Sequence, residues 1–159
     1  MSILRSLLLC ALIAPLAALP VRAQSADSSQ SSAMSIPQSH VIQADALNQL
    51  LQAGKQKPAL LQVGSHLMYV QAHIPGSQYA GPGSQPEGLA KLRAHAAKLQ
   101  KDQLIVLYCG CCPWNRCPNV GPAYAELARL GYTNVKVLYI AANFGADWVS
   151  KGYAVEKGE

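Results

Sequence analysis

The run Leu104-Ile-Val-Leu-Tyr108 has no polar side chain to turn toward water before the last position, and a cysteine follows it at once. A strand without polar and apolar alternation must be covered on both faces, which is the environment of an inner strand in a parallel sheet flanked by helices. The rest of the chain fits that requirement. Residues 59–63 (Ala-Leu-Leu-Gln-Val) form a second short apolar run between Pro58 and Gly64, and Val135-Lys-Val-Leu-Tyr-Ile140 a third. Segments with helical spacing lie between them: 44–53 ending at Gly54, 89–99 with Leu89, Leu92, Ala96 and Leu99 on one face, and a helix opening near Asn119 with Ala123, Leu127 and Leu130 inward. Asn119 is a candidate N-cap, Pro122 sits in the first turn where no hydrogen bond is lost, and Gly131 ends the helix. Residues 66–71 are expected to make one or two helical turns, 80–88 to be loop because of their glycines and prolines, and 144–151 to form a closing helix. Helices and strands taking turns predict an α/β fold with a largely parallel sheet.

The first residues speak to compartment. Arg5 precedes an apolar stretch to Leu19, interrupted by Pro15, and Val21-Arg22-Ala23 supplies small residues where a signal peptidase cuts. Residues 1–23 are expected to be a secretory signal peptide, too broken for a stable membrane span. Cys10 leaves with it. Residues 24–39 are rich in Ser and Gln and are expected to be a flexible linker, leaving 40–159 as one domain. The 13 basic residues fall to 11 once Arg5 and Arg22 are removed, against 8 acidic ones. Charge that weak and that scattered excludes a nucleic-acid footprint. The expected location is periplasmic or otherwise exported.

The chemistry concentrates in Cys109-Gly-Cys-Cys-Pro-Trp-Asn-Arg-Cys117. This loop joins a buried strand to a helix, so it lies at the carboxyl edge of the sheet, where ligands of open α/β folds bind. Loop amides and a helix N-terminus stabilise a thiolate placed among them. Cys109, fixed by the strand end, is the expected nucleophile, able to take a sulfur atom and hold it as a persulfide, and Cys111 is the alternative. Gly110, Cys111, Cys112, Trp114 and Arg116 are the expected substrate-binding residues, with Arg116 facing an anionic donor such as thiosulfate. Trp114 is expected either to pack the loop down or to roof the pocket.

Tyr108-Cys109, then Asn115-Arg116-Cys117 and the helix through Asn134-Val135, resembles the active-site loop and following helix of rhodanese domains. His73-Ile-Pro-Gly-Ser77 and the pair Phe144-Gly-Ala-Asp-Trp148 and Lys151-Gly-Tyr-Ala-Val-Glu-Lys157 resemble two further motifs of that family, so that the likeness covers about 41–159. It implies a rhodanese-like fold with a five-stranded, mostly parallel sheet flanked by helices. It implies sulfurtransferase chemistry through a cysteine persulfide cradled by backbone amides, with a small sulfur donor and a thiophilic acceptor as partners and no cofactor. The chain departs from the family at Gln62-Val-Gly64, where Asp-Val-Arg is usual, and in the loop, where Cys109 to Arg116 is Cys-x6-Arg and Cys111 to Arg116 keeps the usual Cys-x4-Arg.

A non-catalytic rhodanese-like binding module is an alternative to the sulfurtransferase, and two other chemistries fit the same cysteines. Cys109-Gly-Cys-Cys112 contains a Cys-x-x-Cys spacing, and in an oxidising compartment Cys112 or Cys117 is a candidate resolving or disulfide partner for Cys109 or Cys111. Soft-metal binding, to copper(I) or zinc, is weighed down by spacing: all four thiols fall within nine residues, with no second separated pair and no histidine in the loop. No metal ligand is therefore assigned. His73 is expected to hydrogen-bond backbone, Trp148 to be core, and Glu126 and Asp147 to face solvent.

Overall fold

The structure is a computed structural model that describes residues 36–55 and 57–158. The expected signal peptide and residues 24–35 of the linker lie outside the described residues. Five strands, β1 (Val41–Ile42), β2 (Ala59–Gln62), β3 (Gln78–Tyr79), β4 (Ile105–Tyr108) and β5 (Val135–Leu138), form one sheet in the order β1-β5-β4-β2-β3. Every pairing is parallel. β4 lies at the centre, with Leu61 opposite Leu107 on one side and Leu107 opposite Val137 on the other. Its four residues are all buried, as a strand with two covered faces must be.

Strand side chains alternate between two cores. Leu61, Val63, Ile105, Leu107 and Val137 point to one face, which is covered by α3 (Pro86–Ala96) and α4 (Val120–Arg129) through Leu92, Ala96, Ala123 and Leu127. Leu60, Val106, Tyr108 and Leu138 point to the other, which receives Leu47 of α1 (Ala44–Ala53) and Phe144 of α5 (Phe144–Asp147), followed by Trp148. Trp148 is fully buried and donates its indole N–H to Ala154 O at 2.9 Å. Gly54 ends α1 in the left-handed conformation, φ +64°.

Several local expectations change. The stretch 80–88 is not all loop: Pro86 starts α3 at a position where its missing N–H costs nothing. The segment 144–151 divides into α5 and a 3-10 turn, Val149–Lys151. Ile36 is buried in the core, and Gln38–His40 form a 3-10 turn, so these residues of the expected linker pack with the domain. Glu126 does not face open water but accepts from Arg93 at 3.0 Å and from Arg129 at 2.8 and 2.9 Å. Asp147 turns back on α5, accepting the N–H groups of Ala142 and Asn143 at 2.7 and 3.1 Å.

The chain's last described residues are fastened across the turn after α2 (His66–Gln71). His73 and Glu156 exchange two backbone hydrogen bonds of 2.9 Å, and Glu156 Oε2 accepts from Gly76 N at 3.1 Å. The His73 ring stacks on Tyr69 and its Nδ1 lies 2.9 Å from Tyr69 O. Among the described residues no helix is long and apolar enough to cross a membrane.

Candidate active site

β4 delivers Cys109 to the carboxyl edge of the sheet, and the chain then has to turn sharply away from its neighbour α5. Gly110 makes that turn at φ +78°, and its carbonyl accepts the N–H of Phe144 at 2.9 Å. A Cβ at residue 110 would stand 2.7 Å from Phe144 Cβ, so both backbone angle and space require glycine. The loop continues through the 3-10 turn Trp114–Arg116 and reaches Cys117 just before α4. Cys109 and Cys117 are buried, Cys112 is half-buried and Cys111 is exposed.

All four thiols converge. Cys109 Sγ is 2.9 Å from Cys111 Sγ, which is 3.4 Å from Cys112 Sγ. The sulfurs of Cys109, Cys112 and Cys117 lie within 4.8 Å of one another. Asn119 Nδ2 donates to Cys109 Sγ at 3.4 Å and reaches Cys111 Sγ at 3.9 Å.

The environments push the acidities of the four thiols apart. Cys109 is pushed strongly upward, first because its S–H serves Cys111, then because it serves Cys117 and because it is buried. Cys111 is held down to about 6 by the hydrogen bond from Cys109 first, aided by Cys112 and by the backbone amides of Cys111 and Ser65. Cys117 is also lowered to about 6, by Cys109 first and then by the amides of Asn119 and Val120 at the start of α4. Burial raises Cys112 to about 12, with Cys111 adding to the effect. One S–H on Cys109 cannot serve two sulfurs at once, so Cys111 and Cys117 compete for it. Cys111 is the one that solvent reaches.

A polar scaffold holds the loop from below. Gln62, buried at the end of β2, donates from Nε2 to Cys109 O and accepts from Gly64 N, both at 3.1 Å. Gly64 lets β2 approach, since a Cβ there would meet Cys109 Sγ at 2.8 Å. Asn119 Oδ1 accepts from Ser84 N at 3.1 Å and Ser84 Oγ at 2.8 Å. Asn119 stands at the N-cap position, but its side chain makes no cap hydrogen bond to α4; it crosses to Ser84 and the sulfurs instead. Gln62, Ser84 and Asn119 were not among the expected site residues. A polar side chain inside an apolar strand marked Gln62, whereas nothing near Ser84 in sequence pointed to a contact 35 positions away.

Of the expected binding residues, Gly110, Cys111 and Cys112 stand in the thiol cluster. The Trp114 ring packs on Tyr139, with centroids 5.2 Å apart, and also walls a cavity of about 10 Å³ beside Cys109, Cys112 and Cys117. Arg116 is exposed, and among the described residues its guanidinium makes no hydrogen bond or ion pair with the thiol cluster. A larger cavity, about 700 Å³, lies near the opposite edge of β2, between Leu51, Pro58, Leu60, Pro75, Trp148 and Tyr153. Its lining includes no thiol.

Comparison with known proteins agrees with this architecture. Solved structures with the same fold include the Alr3790 protein of Anabaena sp., at 21% identity and TM-score 0.57, covering 74% of this chain and 92% of that one. The BH2092 protein of Bacillus halodurans aligns at 24% identity and TM-score 0.59, covering 75% and 77%. A thiosulfate sulfurtransferase of Pseudomonas aeruginosa aligns at 24% identity and TM-score 0.53 over 74% of this chain but only 20% of its own length. No curated protein matches significantly. The profile of the rhodanese-like domain matches residues 43–139, which span every strand but the first two residues of the sheet together with the whole thiol loop. The chain belongs to the rhodanese-like domain family.

Proposed function

We propose that this protein is an exported sulfurtransferase that carries sulfane sulfur as a persulfide on the 109–117 loop. The observation that carries the reading is the pairing of an exposed Cys111 sulfur with the buried Cys109 sulfur at 2.9 Å. Cys109 was the first expectation for the nucleophile. Its burial, beside an exposed Cys111, favours assigning sulfur uptake to the alternative, Cys111, with Cys109 as its hydrogen-bonding partner. Loop amides at Cys111 and Ser65 support the same charge. Export rests on the N-terminal sequence.

The step balances without a cofactor. The Cys111 thiolate attacks the outer sulfur of thiosulfate, a new S–S bond forms, the old one breaks, and sulfite leaves with the electron pair. A thiophilic acceptor such as cyanide or a thiolate then removes the outer sulfur and regenerates the Cys111 thiolate. Arg116, exposed on the same loop, is the candidate cation for the incoming dianion.

Reduced protein incubated with thiosulfate should gain the mass of one sulfur atom on the loop peptide, release one sulfite, and lose the added mass on exposure to cyanide. Cys111→Ser should abolish the adduct; Cys109→Ser should slow its formation and leave it on Cys111. An adduct retained by Cys111→Ser and absent from Cys109→Ser would move the nucleophile to Cys109. No adduct on any loop cysteine would overturn the reading.

A further inference from the structure

The inner sulfurs of the loop have a second capability beside sulfur transfer. Cys109, Cys112 and Cys117 bring three sulfur atoms within 4.8 Å of one another around a cavity of about 10 Å³, room for a single atom-sized occupant. The remaining walls are Trp114, Val120, Leu138 and Ile140, whose side chains carry no polar atom apart from the indole N–H. We infer that these three cysteines form a binding site for one monovalent copper ion in trigonal thiolate coordination.

Size and ligand chemistry lead to the same ion. With metal–thiolate bonds of about 2.3 Å, three sulfurs around a planar ion stand about 4 Å apart, inside the spacing already present. Thiolates select soft ions, copper(I) and zinc foremost. Zinc takes a fourth ligand in nearly every site; the cavity lining supplies no carboxylate or imidazole, and the one further sulfur of the loop, Cys111, is not among the three that lie within 4.8 Å of one another. Copper(I) is satisfied by three sulfurs and tolerates an apolar surround. Cys111 lies outside the triad, on the solvent side.

The sequence spacing that argued against a metal counted positions along the chain. The fold cancels that argument: the Trp114–Arg116 turn folds the loop back so that Cys117, at the mouth of α4, meets Cys109, at the end of β4. Binding changes no oxidation state. Copper(I) arrives as such, Cu–S bonds form, and each ligating thiol that carries a proton releases it to solvent. The inference shares Cys109 with the proposed sulfur transfer but not the accepting sulfur, because Cys111 is not a ligand.

The test is an anaerobic titration of the reduced protein with copper(I) against a chromophoric copper(I) chelator, followed by X-ray absorption at the copper edge. One equivalent should bind, with three sulfur neighbours and no nitrogen or oxygen. Cys112→Ser and Cys117→Ser should each weaken binding by at least the roughly 10- to 100-fold that follows loss of an outer-shell partner; Cys111→Ser should bind as the parent does. The spectrum of the unmodified protein decides the matter even where a buried Cys117→Ser variant does not fold. Absence of stoichiometric binding, or coordination that includes Cys111 in place of a triad member, would overturn the inference. A Cys111→Ser protein that holds copper but takes no sulfur from thiosulfate keeps the two proposals distinct; one that does both sinks the sulfur-uptake assignment and spares the copper site.

Discussion

Asn119 reaches back across the loop to place its Nδ2 3.4 Å from the sulfur of Cys109. The same side chain is pinned on its other side by Ser84, so one buried amide ties together the turn before α3, the start of α4 and the thiol cluster. Removing it leaves the Ser84 N–H without that acceptor and the Cys109 sulfur without that donor. Asn119→Ala is expected to lower stability by about 1–3 kcal/mol, read from chemical denaturation, and to slow persulfide formation. Asn119→Asp should retain more of the Ser84 contact yet repel the thiolates, separating the two effects: stability closer to the parent, sulfur uptake slower still. Equal sulfur uptake in all three proteins would remove Asn119 from the site.

Close approach of β2 to the loop makes Gly64 a sensitive position. A methyl there would stand 2.8 Å from Cys109 Sγ and 3.0 Å from Gln62 Nε2. Gly64→Ala is expected to cost about 1–3 kcal/mol as overpacking, visible as a lower denaturation midpoint with unchanged m-value. A midpoint within error of the parent would mean that the loop yields freely.

Exposure orders the thiols for a neutral alkylating agent. Limiting iodoacetamide on folded, reduced protein should label Cys111 first and Cys112 more slowly, leaving buried Cys109 and Cys117 for the unfolded chain. Peptide mass mapping over time checks the order. Early labelling of Cys109 would contradict its place beneath the loop.

Acid stability has a contributor far from the sulfurs. Arg129 first, and Arg93 with it, hold Glu126 down to about 2, against 4.5 for a free glutamate. A carboxyl group depressed in the folded state stabilises it fully above its unfolded value, and that stability is lost as pH falls through about 4.5 toward 2. Glu126→Gln should flatten this part of the stability curve, by about 1 kcal/mol or less because the ion pairs lie at the surface with Arg129 largely exposed. An unchanged slope between pH 5 and pH 2 would show the pairs to be idle.

Periodicity made the central architecture legible, and it did so where packing follows local pattern. Leu104-Ile-Val-Leu-Tyr108 reads as a doubly covered strand because neither face carries a charge, and β4 is buried throughout. β1 and β3 escaped notice because each has only two residues, too few to display alternation. Asn119 was legible as a helix boundary but not as a partner of sulfur, since its side-chain bonds run to Ser84 and Cys109 through space. The four cysteines announced themselves by type. Which of them is exposed, and which share a cavity, depended on the turn at Gly110 and the fold-back at Trp114–Arg116, and such angles leave little trace in residue spacing.

The His73–Glu156 pairing has a practical corollary for anyone engineering the molecule. Those two backbone bonds, with the Glu156 carboxylate on Gly76, act as a clasp that shuts the carboxyl end over the turn between α2 and β3. An affinity tag or fluorescent fusion belongs beyond Gly158 on a flexible spacer, because trimming back to Val155 would remove Glu156 and unfasten the clasp from His73 and Gly76.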